Sequence, residues 1–174
     1  MKKIIAVSLL VCLTITLVFS PALAQEDEGP AWVFPYFDEH VEVKPGQEVV
    51  LWLGWVACTR GQVRSFMTSA DLDWEVDGVQ LFSSDKEVDE FWRLIEPIDP
   101  NSECISAHAG QSWVGYWWYS IGSFDDVGET HIVTLEQSFD HPITDGFDSD
   151  GDGRPDLYRG SSGLASTEIE VVAP

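Results

Sequence analysis

The alternation of apolar and polar side chains marks this chain as β for most of its length. His40-Val41-Glu42-Val43-Lys44 alternates strictly, and Pro45-Gly46 follows as a turn pair. Glu48 to Val56 (Glu-Val-Val-Leu-Trp-Leu-Gly-Trp-Val) is an almost unbroken β-branched and aromatic run, the signature of a strand covered on both sides. Leu72 to Leu81 reads as two short strands around Asp77-Gly78, a dipeptide that favours a two-residue hairpin turn. Gln111 to Ile121 is an aromatic-rich strand, Thr130 to Phe139 another, and Thr167 to Val172 closes the chain with clean alternation.

Residues 83–104 are the least regular. Ser84 to Trp92 carries a Ser cap and an acidic first turn, which predicts a single helical turn, and Pro97 and Pro100 end any continuation. About seven strands with no helix of ordinary length predict an all-β fold, an immunoglobulin-like, two-sheet antiparallel sandwich, with closure into a barrel as the other solution. No fixed-period repeat or low-complexity linker divides it.

The start of the chain reads differently. Lys2 and Lys3 precede an apolar stretch from Ile4 to Phe19, and Pro21-Ala22-Leu23-Ala24 offers a small-residue cleavage site. This predicts a secretory signal over 1–24, a loose acidic segment over 25–31 and one domain over 32–174. The apolar stretch is short for a membrane anchor, so the mature protein is expected outside the cell or at its surface, without membrane contact. Cys12 falls within the signal. Two cysteines then remain, Cys58 and Cys104, and in an exported domain they are expected to pair.

Composition narrows the partners. The chain has 30 acidic against 9 basic residues, a net charge of −21, and all the acidic ones lie beyond residue 24. Such a field repels nucleic acid and anionic lipid and favours cations and basic partners, besides keeping the protein soluble.

Reaction chemistry is hard to find. Gly110 to Gly115 lacks the spacing of a nucleophile elbow, His40, His108, His131 and His141 are scattered, and no cofactor fingerprint occurs. The expectation is a non-enzymatic protein with no catalytic residue, a small acidic hydrolase using two carboxylates being the remote alternative.

Two features invite ligands. In Asp148-Ser149-Asp150-Gly151-Asp152-Gly153-Arg154-Pro155-Asp156, carboxylates alternate around two glycines. Oxygen ligands at this spacing suit Ca²⁺: Asp148, Asp150 and Asp152 fill positions one, three and five of a calcium loop, and Gly153 makes the sharp turn. Arg154 would contribute its backbone carbonyl, and Asp156 falls at position nine. Position twelve is Arg159, where a helix-loop-helix site has a bidentate Glu, and neither flank reads as helix. Asp145 or a more distant carboxylate is expected to complete the shell. These nine residues resemble the Asp-rich calcium loops of thrombospondin type 3 repeats and dockerins, with their D-x-D-x-D-G-x-x-D core. The resemblance implies calcium ligation by Asp148, Asp150, Asp152 and Asp156 and covers no other part of the chain.

The second feature is Trp113-Val114-Gly115-Tyr116-Trp117-Trp118-Tyr119. On a strand, Trp113, Trp117 and Tyr119 share one face, and Tyr116 and Trp118 the other. The rings fill the core, meet another protein, or form a flat platform of the kind that carbohydrate-binding modules use for sugars. In the layout of Val49 to Val56, the Asp77-Gly78 hairpin and the last strand, the chain also looks like bacterial extracellular immunoglobulin-like domains. The function expected is extracellular interaction or structure with one loop-stabilising calcium, the partner being an extracellular protein or polysaccharide; a carbohydrate-binding module is the alternative.

Overall fold

The computed structural model describes residues 29–81, 92–98, 104 and 112–174. The expected signal, the acidic residues 25–28 and the helical turn expected from Ser84 lie outside the described residues, except that Trp92 opens a strand. Among the described residues, nine strands and one helix follow in the order β1 (Ala31–Val33), β2 (His40–Val43), β3 (Glu48–Ala57), α1 (Arg60–Ser69), β4 (Ala70–Val76), β5 (Val79–Gln80), β6 (Trp92–Ile98), β7 (Ser112–Ser123), β8 (Thr130–Ile143) and β9 (Tyr158–Val171). They form two sheets, β1-β3-β7-β6 and β2-β9-β8-β4-β5. The two-sheet sandwich is as the hydrophobic pattern predicts. Its sheets are mixed rather than purely antiparallel, because β1 runs parallel to β3 and β2 parallel to β9.

The long β3 run sets the register. Leu51 and Leu53 lie opposite Tyr119 and Trp117 on the inner face, while Val50 and Trp52 lie opposite Ser120 and Trp118 on the outer face. The sheets meet in a ring stack: Trp74 of β4 and Trp117 of β7 are both fully buried, with centroids 5.0 Å apart and planes 9° from parallel. Burial of two indoles brings in the largest apolar area any side chain offers, and an offset pair adds about 0.5–1.5 kcal/mol. Leu72, Leu135, Ile169 and Val171 complete the layer from the five-stranded sheet.

The Asp77-Gly78 hairpin forms as expected. Both residues have positive φ, 53° and 74°, the type I′ geometry, and Val76 pairs with Val79.

Helix α1 has no counterpart in the hydrophobic pattern read above. Thr59 caps it by accepting from the Gln62 N–H at 3.2 Å. Val63 and Phe66, three apart, are fully buried. Phe66 stacks on Trp55 of β3 at 4.1 Å and meets Phe139 of β8 edge-on at 5.8 Å, so one ring closes the end of the sandwich between both sheets. The helix comes this close because β7 has no side chain at Gly115, where a Cβ would lie 2.8 Å from Val63 Cγ1. Strand β6 is the other departure. It holds Pro97 and, among the described residues, is an edge strand paired with β7 alone, which is where a residue without an N–H is tolerated.

Candidate metal site

The Asp-rich segment lies in the connection between β8 and β9, and its base is locked. Asp145 is 5% exposed. Its backbone carbonyl accepts from the Cys58 N–H at 2.7 Å, Oδ1 accepts from the Phe147 N–H at 2.9 Å, and Oδ2 accepts from the Tyr158 hydroxyl at 2.7 Å. Burial pushes the Asp145 carboxyl above its ordinary range, against the pull of these hydrogen bonds. The Tyr158 phenol is pushed up by its own burial and by the neighbouring carboxylate. Both oxygens of Asp145 are therefore engaged, and it lies outside the three converging carboxylates: it is the anchor of the loop.

Cys58 and Cys104 form the expected disulfide, with Cα atoms 5.6 Å apart. Cys104 also makes an antiparallel bridge to Phe147. Both half-cystines thus touch the backbone that leads into the Asp cluster. Gly146 packs against the same corner, where a Cβ would lie 3.0 Å from Cys58 Cβ.

Beyond Phe147 the carboxylates fold the backbone around themselves. Asp148 Oδ2 accepts from the Gly153 N–H at 3.0 Å, Asp150 Oδ1 from Asp152 at 3.0 Å, and Asp152 Oδ1 from Arg154 at 2.8 Å. Gly153 has φ 82°, the left-handed conformation that position six of a calcium loop demands. Asp148, Asp150 and Asp152 converge, each bringing an oxygen within 4.8 Å of the others. The other oxygen of Asp148, Oδ1, is enclosed and has no hydrogen-bond partner among the described residues.

Asp156 is not one of the converging three; it ties the far side of the loop, its Oδ2 accepting from the Ser149 N–H at 3.2 Å and its N–H donating to the Phe147 carbonyl at 2.7 Å. Arg154 sits beside the cluster through the N–H it gives to Asp152, and Arg159 is already on β9.

The aromatic strand is divided by the register. Trp117 is fully buried against Trp74, so it belongs to the core and not to a ligand platform; of the other rings of its face, Tyr119 packs against that core and Trp113 is half-buried. Trp113 carries the Arg60 guanidinium 5.9 Å from its ring centroid. Tyr116 and Trp118 are on the outer face, and Trp118 is 38% exposed. Outer-face rings that the pattern of β7 alone could not indicate come from β1 and its continuation: Trp32 is 50% exposed, and Phe34 packs 4.5 Å from Trp52.

Two histidine contacts stand apart from both features. Ser69 Oγ and His141 Nε2 are 3.0 Å apart and tie the end of α1 to β8. His131 Nδ1 meets Asp77 Oδ2 at 2.8 Å, which, with the Ile132 N–H, holds the Asp77 carboxyl below its ordinary value.

Compared with known proteins, the chain matches no family model and no curated protein.

Proposed function

We propose that this is an exported, disulfide-tied β-sandwich with an extracellular interaction or structural role rather than a catalytic one. In this reading the Asp148–Asp156 loop holds one Ca²⁺ that makes the β8–β9 connection rigid. The observation that carries the reading is the enclosed, unpartnered Asp148 Oδ1 beside two further carboxylates. An acceptor shut away from donors costs about 1–3 kcal/mol, more when charged, and three converging anions repel one another. A hard divalent cation relieves both.

The ligand set would be Asp148, Asp150 and Asp152 through carboxylate oxygens and Arg154 through its carbonyl. Asp156 would act by its own oxygen or through water. The resemblance to thrombospondin type 3 and dockerin loops supports the same set. Without a bidentate Glu at position twelve, affinity falls in the weak range of about 10⁻⁴–10⁻³ M that suits extracellular calcium. The leader-like start and the disulfide support the same location. The partner sought is an extracellular protein or polysaccharide.

Thermal unfolding tests the metal reading. At about 10 mM Ca²⁺ that affinity range stabilises the fold by about 1.4–2.7 kcal/mol, a rise in Tm of about 3–10 °C for a domain of this size. Asp148→Asn is expected to abolish the rise. An unchanged Tm in the native protein overturns the reading.

A further inference from the structure

The outer face of the four-stranded sheet carries a groove that has no part in the calcium reading. Its floor is Val50, only 5% exposed although it faces outward. Trp32 of β1 stands on one side of Val50 and Ser120 of β7 on the other, by strand pairing. Trp118 borders the groove at the row of Trp52, and Glu48 lies at the opposite end with Pro30. The Glu48 and Trp52 rows are about 13 Å apart at the usual rise of a strand. The groove is open to solvent along its length and has a volume of about 410 Å³, within the size of small-ligand sites.

The chemistry of the lining is of one sign. Half of the Trp32 surface and 38% of the Trp118 surface are exposed, and the face of an indole is the negative end of its quadrupole. Glu48, also exposed, adds a carboxylate, and no basic side chain is among the described residues that line the groove. The whole chain carries −21, which concentrates cations at its surface and repels anions. Val50 offers an apolar floor for methyl or methylene groups. A neutral sugar would use the same rings but gain nothing from the carboxylate charge or the field.

We propose that this groove is a binding site for an organic cation, an ammonium group on a short apolar stem, held between the Trp32 and Trp118 rings with Glu48 as counter-charge.

Choline titrated into isotope-labelled protein, read at the tryptophan indole N–H resonances, tests this. The controls are the carbon isostere of choline, in which a tert-butyl group replaces the trimethylammonium, and cellobiose. The expected result is a saturable shift of the Trp32 and Trp118 resonances with choline alone. Trp32→Ala weakens it about two- to fivefold, the range of an exposed cation–π contact, and Glu48→Gln does so by a similar factor of about two to five. Glu48 is exposed, so its variant keeps the fold and stays informative if Trp32→Ala does not. Equal shifts with the isostere would make this a merely apolar groove, and larger shifts with cellobiose a sugar site; either overturns the proposal. So do the absence of any shift and choline shifts that survive both substitutions, the mark of diffuse attraction to an acidic surface.

Discussion

The Tyr158 hydroxyl donates to Asp145 Oδ2 at 2.7 Å, joining the start of the Asp-rich connection to the first residue of β9. The same Asp145 receives the Cys58 N–H on its carbonyl, so one buried acid ties the loop, the disulfide and the last strand together. The Asp cluster is thus held at its base whether or not a cation is bound.

Removing that tie is expected to be costly. Asp145→Ala leaves the Tyr158 hydroxyl and the Phe147 N–H without their acceptor, a loss of about 1–3 kcal/mol. Tyr158→Phe keeps the ring but takes the donor from a buried carboxylate and falls in the same range of about 1–3 kcal/mol. Urea unfolding midpoints measure both. A loss for Asp145→Ala as small as that of an ordinary surface substitution contradicts the anchoring role.

The disulfide is predicted to serve the loop as well as the fold. It spans 46 residues of sequence, so its removal costs up to about 4 kcal/mol on the chain-entropy model. Because the disulfide fastens Cys104, which bridges Phe147, to the strand end whose N–H holds the Asp145 carbonyl, cutting it by Cys58→Ser is also expected to reduce the calcium-dependent rise in Tm. A variant that is less stable but shows the full calcium response would separate the two roles and refute the coupling.

Acid should weaken the hairpin end of the sandwich. The hydrogen bond from His131, then that from the Ile132 N–H, holds the Asp77 carboxyl below its ordinary value of 3.8. A depressed carboxyl contributes stability that is fully present above 3.8 and is lost as pH falls through the lower folded value. Asp145, raised by burial, has the opposite sign: its unfavourable ionisation is relieved as pH falls towards 3.8. The informative quantity is therefore the difference between the native protein and Asp77→Asn, which keeps a turn-compatible residue. That difference is expected to be about 0.2–1 kcal/mol near neutrality, as for half-exposed pairs, to shrink once pH falls below 3.8 and to vanish below the lowered folded value. A difference that persists at low pH contradicts the assignment.

Where the signal sits in neighbouring residues, the sequence was readable. The runs over Glu48 to Val56 and Thr130 to Phe139 and the Asp77-Gly78 turn each carry their signal locally, and β3, β8 and the β4–β5 hairpin follow them. The first half of β9, from Tyr158 to Ser166, is rich in Gly and Ser and has little strand preference of its own; pairing with β8 extends it. Helix α1 had a signal, the Thr59–Gln62 cap spacing followed by Val63 and Phe66, but Gly61 and a single buried stripe left it weak. The parallel pairings of β1 and β2 are tertiary choices that no local pattern contains. In the Asp-rich loop, the convergence of Asp148, Asp150 and Asp152 followed from their spacing, whereas the anchoring by Asp145 did not. Nothing in the sequence says which of five nearby aspartates is buried.

The most direct test of the calcium clip is a Ca²⁺ titration followed at the Asp152 and Gly153 amides, which donate to the Asp150 and Asp148 carboxylates. Both resonances are expected to move together and saturate with a single dissociation constant of about 10⁻⁴–10⁻³ M, and Asp148→Asn is expected to remove the response. Amides that stay fixed through about 10 mM Ca²⁺, well above that range, or that move identically in Asp148→Asn, contradict the calcium clip.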